Sequence, residues 1–138
     1  MMAGFICLVE PGGSTIDLVE KVQKLRRQHT KYIDNILEQI GSLTVDAGIA
    51  LGTGDSRELG RLMFRNHELL VKLGVSTPRL DEAVELLLDY GVLGAKLTGS
   101  GGGGAVIALV EPQSRYELLE KLSGEFVEVL PITLGVPA

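Results

Sequence analysis

The sequence predicts an α+β fold of two layers: a roughly four-stranded, mainly antiparallel sheet with helices packed on one face. Three observations predict it. Short apolar, β-branched runs stand near the two ends of the chain, Phe5 to Val9 at the start and Ala105 to Val110 and Phe126 to Leu134 at the finish. Between them, apolar residues recur at helical spacing in four successive segments. The chain has 138 residues, 45% of them apolar, which is enough for one core and too few for two, so residues 1–138 are expected to form a single domain.

The elements follow in order. Phe5 to Val9 (FICLV) reads as a buried strand, closed by the turn residues Pro11, Gly12 and Gly13. A helix starts next, with Ser14 as N-cap and Asp17 three residues on, and Leu18, Val22 and Leu25 on its apolar face. From Thr30, a second helix carries Ile33, Ile36, Leu37, Ile40, Leu43, Ala47, Ala50 and Leu51, with a kink or break expected near Gly41 or Gly48. The turn at Gly52 to Gly54 ends it, and Asp55 or Ser56 caps a third helix whose stripe is Leu59, Leu62, Met63, Leu69, Leu70 and Leu73. Thr77-Pro78 opens a fourth, with Leu80, Ala83, Val84, Leu87 and Leu88 on its apolar face and Gly91 as its stop. Strand, glycine loop and strand then follow from Gly94 to Val110. A short helix from Pro112 carries Tyr116, Leu119 and Leu122, and the last strand contains Pro131, which suits a sheet edge.

Charge and composition exclude several classes of function. Thirteen basic against 18 acidic side chains give a net charge of −5, the wrong sign for duplex nucleic acid or an anionic membrane. Aromatics are 4% with no Trp, so a base-stacking platform is not expected. One cysteine, Cys7, lies inside the first apolar run and reads as a small buried hydrophobe. No apolar stretch approaches the roughly 20 residues of a membrane span, and no basic region precedes the first apolar run, so a cytoplasmic location is expected.

The glycine run is the most informative feature. Five of the six residues from Gly99 to Gly104 lack a Cβ, so the backbone there can adopt left-handed conformations and approach a ligand closely. Successive N–H groups in such a loop can converge on an anion. A hairpin needs only one or two glycines, and ordering more of them costs entropy, which argues against a passive connector. Gly99, Gly101 and Gly104 also spell G-x-G-x-x-G, but the dinucleotide version requires a helix immediately afterwards, and AVIALV is strand-like. Asn66 interrupts the apolar stripe of its helix and either bonds to backbone inside the domain or faces a wet cleft. His67 has no companion ligands and reads as a packed or surface residue. Arg57, Arg61 and Arg65 form a solvated stripe, and Asp81, Glu82, Glu85 and Asp89 form the polar side of their helix.

Three stretches carry a family resemblance. AKLTGSGGGGAVIALV, Ala95 to Val110, resembles the third motif of the GHMP small-molecule kinases, most closely the archaeal-type mevalonate kinases. NHELLVKLGVSTPRLDEAV, Asn66 to Val84, resembles the helix pair that precedes that motif. GGSTIDLVEKV, Gly12 to Val22, resembles the Ser-Thr segment that opens the C-terminal domain of those proteins. In order, the likeness runs from about Phe5 to Leu134.

The resemblance implies a C-terminal domain of a two-domain enzyme that transfers the γ-phosphoryl of ATP to a substrate hydroxyl, with mevalonate or a similar alcohol as substrate. By the same resemblance, Lys96, Thr98, Gly99, Ser100, Gly101, Gly102, Gly103 and Gly104 pack beside the nucleotide phosphates, and Ser14 and Thr15 face the substrate side of the cleft at a helix N-terminus. For Ser14 and Thr15, plain helix capping is the competing role. ATP and Mg2+ enter only through the resemblance. The family's phosphate cradle, magnesium ligands and catalytic residues lie in an N-terminal half that these residues do not match, so no residue here is assigned a catalytic role. Ser100 and Ala105 stand where the family usually has alanine and cysteine. The implied partners are ATP, a small alcohol substrate and a separate N-terminal kinase half, with self-association through the uncovered surface. The alternatives are a non-catalytic binding module derived from this domain, or part of a phosphomevalonate or homoserine kinase.

Overall fold

The computed structural model describes residues 2–99 and 101–135. Strand β1 (Met2–Glu10) is followed by helices α1 (Thr15–Gln28), α2 (Thr30–Thr53), α3 (Ser56–Leu73) and α4 (Pro78–Asp89). Strands β2 (Gly94–Thr98) and β3 (Gly104–Val110), a 3-10 turn at Pro112–Ser114, helix α5 (Arg115–Ser123) and strand β4 (Glu128–Leu134) complete the order. The four strands form one antiparallel sheet in the order β2-β3-β1-β4. This is the α+β class expected from strands at both ends and helices between, although α2 and α3 also reach the second face of the sheet.

The helix starts are those the capping residues dictate. Ser14 Oγ accepts from the Asp17 N–H at 3.3 Å, Asp55 Oδ1 from the Glu58 N–H at 3.2 Å and Thr77 Oγ1 from the Leu80 N–H at 3.2 Å. Gly54 and Gly74 end α2 and α3 in the left-handed conformation, with φ of 75° and 85°. Helix α2 runs unbroken through Gly41 and Gly48. Gly41 and Gly48 are exposed with open space around them, so each lowers helix propensity without meeting any neighbour that would bend the helix.

Registry sorts the sheet residues onto two faces. Leu97, Val106, Cys7 and Val129 lie opposite one another across the sheet, and this face packs against Leu80, Ala83, Val84 and Leu87 of α4 and Leu118 and Leu122 of α5. Full burial of one such aliphatic side chain stabilises the fold by about 1.5–3 kcal/mol. The opposite face carries the row Lys96, Ile107, Ile6 and Leu130. Part of that face, at Met2 and Leu109, is covered by Leu59, Leu62 and Met63 of α3 and Ala50 of α2. Leu130 remains 42% exposed.

Three expected core positions face outward: Tyr116 is 74% exposed, Leu88 54% and Leu37 41%. Helix α5 buries Leu122 as expected, together with Leu118, and packs Leu119 partly against the same core. Pro131 does lie on an edge strand, paired with Phe5.

Helix α3 lies along β2, the strand at one edge of the sheet. The two elements meet at Gly60 and Gly94, where a Cβ on either residue would overlap the backbone of the other segment. One strand edge is thereby covered by a helix.

Candidate functional site

The glycine loop connects β2 to β3 and folds back over the end of β1. Gly99, Gly101, Gly102, Gly103 and Gly104 all have positive φ, between 67° and 124°, a region that side chains with a Cβ enter only at a cost. Two of them also have no room for a side chain. A Cβ at Gly101 would overlap the Val75 carbonyl oxygen, and one at Gly103 the Pro11 carbonyl oxygen. The Gly102 N–H donates to the Val75 carbonyl at 2.7 Å, and the Gly101 carbonyl accepts from the Gly13 N–H at 3.2 Å. The loop is therefore a packed element, pinned on one side by the α3–α4 connection and on the other by the turn before α1.

That packing brings two groups of sequence-selected residues together. Gly13, immediately before Ser14, lies against Gly102, so the N-terminus of α1 with Ser14 and Thr15 adjoins the loop. Ser14 is exposed and its hydroxyl caps the Asp17 N–H, so the capping role is filled. Thr15 borders a shallow apolar groove with Leu18, Val19, Val22 and Val75. Ser100 lies outside the described residues.

Lys96 and Thr98 sit on β2, on the sheet face opposite Leu97. Lys96 enters a narrow cleft between α2 and α3, lined by Leu43, Thr44, Ala47, Leu62, Met63 and Asn66. Burial there pushes its ammonium below the usual lysine range. Lys96 forms no ion pair among the described residues. Of the two readings of Asn66, the cleft is what the structure contains: Asn66 lines it beside Lys96. Lys96 thus stands on the α2–α3 side of β2, whereas Ser14 and Thr15 stand beside the loop.

Three residues have more specific placements than the sequence suggested. His67 is 5% exposed, bonded through Nδ1 to the Leu97 N–H at 3.1 Å and through Nε2 to Asp81 Oδ1 at 2.9 Å. Asp81 is not simply a member of a polar helix face, since its carboxylate also accepts from Ser76 Oγ at 2.6 Å. Glu10 accepts from Thr77 Oγ1 at 2.6 Å and ties the end of β1 to the start of α4. The sequence carries no local signal for these pairs, because His67 and Asp81 lie 14 positions apart and Glu10 and Thr77 lie 67 apart.

The arginine stripe is a solvated face, with Arg61 bidentate on Glu58 at 2.6 and 2.9 Å and Arg65 on Glu68 at 3.0 Å. Cys7 is fully buried, and burial pushes its thiol up to about 12. Among the described residues, no three His, Cys, Asp or Glu side chains gather as a metal-binding group. No helix among them is long and apolar enough to cross a membrane.

A four-stranded antiparallel sheet with its helices, and a left-handed polyglycine loop pinned against a Ser-Thr helix start, define a class of protein. The sequence model of a family described as "GHMP kinases C terminal" matches residues 49–128, more than half of the chain. The chain belongs to the GHMP kinase family, as a C-terminal domain of that type. Within the family it resembles mevalonate kinases. It is 40% identical over 115 residues to a mevalonate kinase of Methanocaldococcus jannaschii, covering 83% of this chain and 34% of that protein. It is 44% identical over 130 residues to one of Pyrococcus horikoshii, covering 91% and 36%. Among solved structures, the L. major mevalonate kinase in complex with R-mevalonate superposes with a TM-score of 0.88 at 28% identity, covering 100% of this chain and 44% of that one. The chain thus spans about a third of the length of the archaeal relatives.

Proposed function

We propose that this domain supplies one wall of the ATP and substrate cleft of a mevalonate-kinase-type phosphotransferase. In that reaction the substrate hydroxyl oxygen bonds to the γ-phosphorus of ATP, the bond from that phosphorus to the ADP oxygen breaks, and the hydroxyl proton leaves to a base. Phosphoryl transfer depends mainly on positioning and charge stabilisation. The part assigned to this chain is positioning. The observation that carries the reading is the loop itself: five left-handed glycines packed without side chains against the turn that leads into Ser14 and Thr15.

In this reading Lys96, Thr98, Gly99, Ser100 and Gly101 to Gly104 lie beside the nucleotide phosphates, and Ser14 and Thr15 face the substrate. The Gly102 N–H is already engaged by Val75, so the loop supports a phosphate cradle located elsewhere rather than forming a complete one. No step is assigned to Mg2+ through this chain. In this reading a partner segment provides the catalytic base, the cradle and any metal ligands, and the domain alone is inactive. The row of half-buried Ile6 and Ile107 and exposed Leu130 is the surface through which it meets that segment or, without it, a second copy of itself. In this reading the domain works in the cytoplasm.

The test is a titration of the 138-residue protein with ATP, mevalonate and phosphomevalonate, read from backbone amide resonances. Movement at Gly99 and Gly101 to Gly104 with ATP supports the reading. Silence with all three ligands favours a non-catalytic module, and turnover of ATP and mevalonate by this chain alone refutes the assignment of catalysis to a partner. In sedimentation at rising concentration, an oligomer is expected, and a strict monomer counts against self-association.

A further inference from the structure

Leu97 is 2% exposed and lies two residues before Gly99, on the strand that enters the loop. Its N–H faces α3 and donates to His67 Nδ1 at 3.1 Å. A backbone N–H can only donate, so Nδ1 is the lone-pair nitrogen and the ring proton is on Nε2. Nε2–H then donates to Asp81 Oδ1 at 2.9 Å, and the same oxygen accepts the Ser76 hydroxyl at 2.6 Å. Ser76 directly follows Val75, whose carbonyl holds the Gly102 N–H at 2.7 Å. A route from Leu97 through imidazole, carboxylate and hydroxyl therefore leads back to the far side of the same loop.

We infer that His67 is a positioning residue for the glycine loop. It fixes the entering strand through Leu97 and, through Asp81 and Ser76, the backbone that pins Gly102. The functional weight of the inference rests on the proposed role of the loop, whereas the coupling itself needs no ligand. The imidazole suits this place because it presents an acceptor on one side and a donor on the other, in the order that a strand N–H and a carboxylate require. A glutamine can present the same pair in the same order. Leucine fills similar space and presents neither. A buried donor that loses its partner is costly, so the strand N–H should open more often when the acceptor is removed.

The test uses the 138-residue protein with His67→Leu, His67→Gln and Ser76→Ala, together with Leu87→Ala as a core deletion outside this hydrogen-bonded route. His67→Leu should raise Leu97 amide exchange by about tenfold and move the Gly101 to Gly104 resonances, and His67→Gln should restore both. Leu87→Ala should lower stability and leave those resonances in place, which separates positioning from general destabilisation. Nitrogen-15 spectra of the His67 ring should show the Nε2–H tautomer, and the Nδ1–H tautomer would overturn the inference. Unchanged loop resonances in His67→Leu would overturn it as well. If His67→Leu does not fold, Ser76→Ala decides: movement at Gly101 to Gly104 supports the coupling and its absence refutes it. None of these readouts involves nucleotide, so a failed ATP titration beside an intact coupling would sink the proposed function alone.

Discussion

Gly60 of α3 and Gly94 of β2 meet backbone to backbone: a Cβ at Gly94 would overlap Gly60, and one at Gly60 would overlap the Leu93 carbonyl that leads into Gly94. From that contact the helix and the strand run side by side. Seven helical residues from Gly60 to His67 advance about 10 Å, and three extended residues from Gly94 to Leu97 advance about the same. His67 is thereby delivered to the Leu97 N–H at 3.1 Å. The glycine pair sets the separation and the histidine bond sets the register.

Gly60→Ala should therefore be one of the most damaging small substitutions in the protein. The added methyl meets the Leu93 carbonyl, a backbone atom that cannot rotate away, and overpacking of this kind costs about 1–3 kcal/mol. Gly41→Ala and Gly48→Ala should do the reverse. Both positions are exposed, helical and free of neighbours within 4 Å, so each should add about 0.5–1 kcal/mol. Urea midpoints of the three variants check the contrast, and equal destabilisation by all three would refute this reading of the α3–β2 contact.

Within the loop, the glycines should divide in the same way. Gly99 has φ of 91° and open space around it, so Gly99→Ala should cost only the left-handed penalty of about 1–2 kcal/mol. Gly101→Ala and Gly103→Ala carry comparable strain, and their methyl groups also overlap the Val75 and Pro11 carbonyls. They should lose more stability than Gly99→Ala and also displace the loop amide resonances. Thermal unfolding and amide spectra of the three variants provide the measurement, and a Gly101→Ala protein with an unmoved loop would show that the Val75 contact is not a constraint.

Much of this was legible in the chain. Strands were marked by period and β-branching at Phe5 to Val9 and Ala105 to Val110, and helix starts by Ser14, Asp55 and Thr77-Pro78, because both signals are local. The glycine loop was legible as a special backbone, but its packing was not. Val75 and Gly13 reach it from distant points in the sequence, and a backbone carbonyl carries no residue-type signal. His67 and Asp81 were hidden for a related reason. A lone histidine on a stripe and an aspartate on a charged face are each unremarkable until folding places them 2.9 Å apart. The signal that could have located the α3–β2 contact was Gly60, a glycine inside a strong helical stripe, paired with Gly94 at a strand start.

Cys7 should be inert in the folded protein. It is fully buried at the centre of the sheet and its thiol is pushed from 9.0 to about 12, so almost no thiolate exists at pH 8. A thiol reagent should label it only after denaturation, and rapid labelling of the native protein would contradict the buried placement. The same shift has a consequence at alkaline pH. The folded value lies above the unfolded one, so between about 9 and 12 the unfolded chain gives up a proton that the folded chain retains. Stability should be complete below pH 9 and fall through that window at a slope approaching about 1.4 kcal/mol per pH unit.

Lys96 should act in the opposite sense. Burial in the cleft beside Asn66 lowers its folded value below the usual 10.5, so the cation burdens the folded state at neutral pH. As pH rises from the folded value towards 10.5, the folded chain loses this proton before the unfolded chain does. Stability should rise with pH over that range, partly masking the loss caused by Cys7. Lys96→Met keeps the stem and removes the charge. It should stabilise the protein at pH 7 and unmask a steeper alkaline decline. If Lys96 serves the phosphates of a nucleotide, the same variant should also weaken the ATP-dependent shifts of the loop amides. Chemical denaturation at pH 7 and pH 10 and one ATP titration measure all three effects. A Lys96→Met protein less stable than the parent at pH 7 would mean that the buried ammonium is held by partners whose removal costs more than its desolvation.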